Sequence, residues 1–78
     1  MPKVLQHGPY RFFFFSRENN EPPHIHVEHD DAYAKFWLQP VSLARTSGFA
    51  AHELNELIKI VRENQSLFLE RWHEHFSH

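Results

Sequence analysis

Two histidines one residue apart, His24 and His26, are the side chains of this 78-residue chain best placed to do chemistry. They follow two prolines, in the run Pro22-Pro23-His24-Ile25-His26. On an extended strand alternate side chains leave the same face, so the two imidazoles stand about 6.6 Å apart at ~3.3 Å per residue. Rings at that spacing can converge on one ion, which makes His24 and His26 candidate ligands for zinc or another transition metal. A closed structural zinc site takes four ligands; the strand secures two, and the chain has no cysteine to add a thiolate. No cofactor is therefore secured by sequence. The same residues also suit a metal-free reaction. Imidazole titrates near neutral pH and can take or give a proton, so His24, His26, Glu28 and Arg17 are the candidate catalytic residues. Arg11, Tyr33, Lys35 and Trp37 are the candidate substrate-binding residues, with Arg11 and Arg17 able to grip a phosphate through paired bonds. That set would serve a small metal-independent ribonuclease. The alternative is two half-exposed imidazoles bonded to neighbours on a solvated sheet face.

Positioning these groups is the work of a short sheet. Tyr10 to Ser16 reads as a strand, aromatic-rich and bounded by Gly8-Pro9 and the polar run Arg17-Glu18-Asn19-Asn20-Glu21. Pro22-Pro23 restricts the backbone ahead of His24, either fixing the site or keeping the loop off a sheet edge. His24 to His29 is a second strand, Asp30-Asp31 a turn, Ala32 to Leu38 a third strand, and Pro40 to Arg45 a short edge strand. A two-residue loop sets Ile25 opposite Phe36 and Val27 opposite Ala34. It also sets His24 opposite Trp37, His26 opposite Lys35, and Glu28 opposite Tyr33. One face is then apolar, and the other gathers every candidate on these two strands. Phe12 to Phe15 break this alternation; being apolar on both sides, they lie under a loop or meet another molecule.

Thr46-Ser47-Gly48 closes the strand half (1–46) and offers hydroxyls for a helix cap. In the helical half (47–78), Leu54, Leu57, Ile58 and Val61 form one apolar stripe of a helix over 49–63. After a break at Asn64-Gln65-Ser66, Leu69, Trp72 and Phe76 continue at helical spacing. His52 with Glu53 and Glu56, and His73 with Glu70 and Glu74, read as surface pairs. The expected fold is one α+β domain: an antiparallel sheet of three to four strands, then two helices packed on one face.

Composition narrows the setting. Eight Phe, two Trp and two Tyr compensate for a chain too short to bury much more than about 60% of its unfolded surface. A net charge of −2 argues against a general nucleic-acid coat protein, while leaving room for contact with a few phosphates. No signal peptide or bilayer-length apolar run is present, so the expectation is a cytoplasmic protein without a membrane partner. A homodimer or a dedicated partner would ease the folding of so small a domain.

The stretch Phe14 to Val27, Phe-Phe-Ser-Arg-Glu-Asn-Asn-Glu-Pro-Pro-His-Ile-His-Val, resembles the signature of the domain-of-unknown-function 4160 family of small bacterial proteins, as does the late Trp72. The resemblance implies an arrangement like a toxin–antitoxin module, with a short antitoxin-like protein as partner and RNA as a further ligand. It transfers functional weight to Arg17, His24 and His26. This chain departs from the commoner pattern at Asp30-Asp31, which lacks a glycine, and over Pro40 to Ser47.

Overall fold

The structure, a computed structural model, describes residues 3–15 and 20–76. Arg17 and the end of the first expected strand at Ser16 lie outside the described residues. Five strands come first: β1 (Lys3–His7), β2 (Tyr10–Phe13), β3 (His24–His29), β4 (Ala32–Leu38) and β5 (Val41–Ser47). Helices α1 (Ala51–Glu63) and α2 (Gln65–Phe76) follow. The strands form one antiparallel sheet in the order β1-β2-β3-β4-β5, so every strand pairs with its neighbours in sequence.

The α+β class stands, and among the described residues the strand count rises to five. The added strand is β1, which turns into β2 through Gly8-Pro9. Gly8 supplies the left-handed φ of 58° that the turn needs, and Gln6 Nε2 donates to the carbonyls of Gly8 and Tyr10. Gly8-Pro9 is thus the middle of a hairpin rather than the boundary of a first strand. The last strand is also longer than expected, reaching Ser47. It leaves β4 through Gln39-Pro40, whose peptide bond is cis, and a register shift sets Lys35 opposite Arg45 and Phe36 opposite Leu43. Ala44 is the extra residue of that bulge.

The β3–β4 register is the one the sequence implies, from His24↔Trp37 to His29↔Ala32. Asp30 takes a φ of 54° at the tip, a conformation Asp tolerates better than most residues. Phe12, Ile25, Val27, Ala34, Phe36 and Leu38 line one face and pack against Leu57, Ile60 and Val61 of α1 and Phe68 and Trp72 of α2. Phe12 stacks on Phe68 with ring centroids 5.5 Å apart. Phe14 continues this face beyond β2 and meets the edge of Trp72 at 5.4 Å.

The helix start differs from expectation. Thr46 and Ser47 remain in β5, and the Thr46 hydroxyl donates to the Tyr33 carbonyl at 2.8 Å. Ala50 is the N-cap, and the Glu53 carboxylate accepts its backbone N–H at 2.8 Å. That bond satisfies one donor without a hydroxyl. The break between helices is a single residue, Asn64, whose side chain donates to the Ile60 carbonyl. Among the described residues, no helix is long and apolar enough to cross a membrane.

Candidate functional site

The face of the sheet away from the helices collects the expected side chains and then encloses two of them. His24 is 0% exposed and His26 is 1% exposed, so neither is the half-exposed imidazole that a solvated face would hold. The reason is local. Both Phe13 and Phe15 leave the chain on this side and close over His26, with ring centroids 5.5 Å and 4.3 Å away. Trp37 on the same face and Trp72 of α2 meet His24 at 5.7 Å and 4.8 Å, so His24 is closed in from the helical side as well. Phe12, Phe13 and Phe14 are all fully buried, leaving Phe15, 38% exposed, as the one ring of that run at the surface.

Both proline carbonyls accept hydrogen bonds, one from the sheet and one from a histidine ring. The Leu38 amide donates to Pro23 at 3.0 Å, which extends the β3–β4 ladder backwards. Nδ1 of His24 lies 2.9 Å from the Pro22 carbonyl. A carbonyl only accepts, so Nδ1 carries the proton in this contact. Nδ1 of His26 lies 2.8 Å from the Tyr33 hydroxyl, across the β3–β4 ladder. The imidazoles meet edge to face, 5.0 Å apart at 86°. Both Nδ1 atoms are thus engaged by the protein's own groups. Among the described residues, no three His, Asp or Glu side chains are grouped to hold a metal ion.

Charge is distributed around this enclosed pair. Lys35, opposite His26, is 9% exposed. Its Nζ lies 2.7 Å from a Glu21 carboxylate oxygen and 4.7 Å from the Trp37 ring centre. The same Glu21 oxygen is 3.6 Å from Nδ1 of His24. Glu28, farther along the same face, pairs with Arg11, which also lies over the Phe13 ring at 4.5 Å. Arg45 sits over Tyr33 at 5.8 Å.

His24, His26, Tyr33, Lys35 and Trp37 are therefore brought together, and Arg11 and Glu28 flank them as an ion pair. Sequence reasoning missed Glu21 and Arg45. Glu21 lay in what reads as a simple charged loop, and nothing local says that its carboxylate reaches Lys35 on β4. Arg45 joins the face only because of the bulge at Ala44, which a pairing counted without shifts turns away.

Tyr10, on the helix side, is a perturbed titrating group. The Tyr10 hydroxyl is 3.2 Å from a Glu56 carboxylate oxygen. Burial, then the bond to Glu56 and the charges of Glu56 and Glu53, push its pKa up. Among the described residues, two open clefts lie away from His24 and His26. One, of about 230 Å³, lies between β1 and α2 beside Lys3, Phe14 and Arg71. The other, of about 320 Å³, lies beside the Asp30-Asp31 turn.

The family model described as Domain of unknown function (DUF4160) matches residues 10–73, a span holding every residue named on this face. Comparison with curated proteins and with solved structures finds no match.

Proposed function

We infer, for a chain that belongs to the DUF4160 family, that the protein works by binding, as one component of a two-protein module of the toxin–antitoxin type. The observation that carries this reading is the enclosure of His24 and His26. A general acid or base must come within hydrogen-bond reach of the atom it serves. Here both rings are sealed by aromatic side chains, and their Nδ1 atoms are occupied by Pro22 and Tyr33. The motif then acts as the keel of a face: it fixes Tyr33, Lys35 and Trp37, with Phe15 exposed beside them. A short partner protein would contact this face at Phe15. The two-protein arrangement itself rests on the resemblance to the family.

The test is co-expression with a tagged product of the adjacent short reading frame. The two chains are expected to co-purify at one to one, with Phe15→Ala weakening the complex and leaving the melting temperature within a few degrees. If the wild-type chain never retains the neighbour's product, the two-protein reading is wrong.

A ribonuclease reading keeps one specific support, the 2.8 Å contact between His26 and the Tyr33 hydroxyl beside Lys35. It requires Phe15 and Glu21 to move aside for substrate. Purified chain that cleaves RNA in the presence of a chelator, and loses cleavage in Tyr33→Phe with the fold intact, would replace the binding reading with the catalytic one.

A further inference from the structure

We propose that the cleft between β1 and α2 binds a small carboxylic acid whose apolar body is the size of one ring. The site involves neither Phe15 nor the two enclosed histidines, so it stands whichever reading of their face is correct.

Two distant parts of the chain build the walls. On the helix, Arg71, Glu74 and His75 fall at i, i+3 and i+4, which puts them on one side of α2. On the sheet, Lys3 and Val4 border the same cleft although they are consecutive residues. Consecutive side chains of a regular strand leave opposite faces. Here the register shift between Lys3 and Leu5 makes Val4 the extra residue of a bulge, and bulges re-aim side chains in this way. Phe14 forms the floor. It is 1% exposed, and His75 stacks against it with ring centroids 6.1 Å apart at 27°.

The cations of this cleft are uncommitted. Arg11 and Lys35 are held by Glu28 and Glu21. Lys3 and Arg71 are both exposed, and among the described residues neither takes part in an ion pair. Glu74 borders the cleft too, and it makes none either. Two cations against one carboxylate leave a single positive charge in excess when His75 is neutral. One monoanion balances that excess.

Charge and volume together select the occupant. The cleft holds about 230 Å³, room for roughly eight waters at ~30 Å³ each. That is below the ~300–1,000 Å³ of pockets for drug-sized ligands, so a nucleotide or a long acyl chain is too large. A phosphate dianion carries more charge than the excess, and it brings nothing apolar to Val4 and Phe14. A carboxylate matches the planar fork of Arg71, and a single ring attached to it covers the apolar floor.

The experiment is a titration of the isotope-labelled full chain, followed by amide NMR shifts, with benzoate, benzamide, acetate and inorganic phosphate. Benzoate is expected to shift the Val4 and His75 amides saturably with a Kd of about 1 mM or tighter, well inside the ligand-efficiency ceiling for so small a molecule. Benzamide keeps the ring without the charge, and acetate keeps the charge without the ring; both should bind more weakly. Arg71→Gln and Lys3→Gln should each weaken benzoate by about two- to fivefold, the span of an exposed ion pair. Glu74→Gln should tighten it by a similar factor, a gain that damage to the fold would not produce. Lys59→Gln, at an exposed cation on α1, should leave the affinity unchanged. No saturable shift with benzoate, equal affinity for any of the other three probes, or full benzoate affinity in both Arg71→Gln and Lys3→Gln would overturn the proposal.

Discussion

At the residue scale, Tyr10 offers the clearest link between an environment and a measurement. Its hydroxyl is held protonated by burial and by Glu56 and Glu53, so the folded pKa lies above the ordinary phenol value near 10. A group raised in the fold gives a stabilisation that is complete below the unfolded pKa and is lost as pH rises through the folded one. Wild-type stability should therefore fall more steeply than that of Tyr10→Phe above pH ~10. Urea midpoints across pH ~8–11.5 read the difference; parallel curves would refute it. At neutral pH the lost bond should cost about 0.5–1 kcal/mol, the low end for an ordinary hydrogen bond, because the Glu56 partner is exposed to water. His24 and His26 teach the opposite lesson. Because both are enclosed, replacing them with alanine removes core volume, and such variants would report stability before they report any chemistry.

At the element scale, the turn out of the sheet is the tightest point. Gly48 has a φ of +89°, and a Cβ there would lie 3.1 Å from Ala32 Cα and 3.3 Å from Ala32 Cβ. Gly48→Ala should thus lose more than about 1 kcal/mol, visible as a lower urea midpoint with an unchanged slope. A midpoint equal to wild type would mean that β5 can shift away from β4 at no cost. The elements also show how far sequence alone reaches. The β3–β4 register was legible because a two-residue loop sorts Ile25, Val27, Ala34 and Phe36 from His24, His26, Lys35 and Trp37, and one slipped residue would mix them. The helix pair was legible from Leu54, Leu57, Ile58 and Val61 in α1 and from Leu69, Trp72 and Phe76 in α2. The strand β1 was hidden because Lys3-Val4-Leu5-Gln6-His7 is short, with no strict alternation, and Gly8-Pro9 reads equally as a boundary. Glu21 and Arg45 were hidden because a loop path and a bulge are set by tertiary packing, which local spacing does not encode.

At the scale of the whole molecule, a thin two-layer body depends on a few large rings. Phe12 is 0% exposed and stacks on Phe68, joining the second strand to the last helix. Phe12→Ala should cost about 3–5 kcal/mol. A domain of this length holds only about 4–12 kcal/mol in total, at ~0.05–0.15 per residue. The variant is expected to be largely unfolded at 37 °C by circular dichroism, and a melting temperature within ~5 °C of wild type would show that the core closes around the gap.

The order β1-β2-β3-β4-β5 has a consequence for synthesis. Each strand pairs with the one made just before it, so the sheet needs nothing from the C-terminal third to assemble. Its apolar side, however, waits for Ala51–Phe76. At 5–20 residues per second, those 26 positions take roughly one to five seconds to translate. Until those positions pack, Phe12, Ile25, Val27 and Phe36 form a sticky plane. A chain cut after Gly48 would present a sheet without its lid, a species suited to capture by a chaperone or to aggregation.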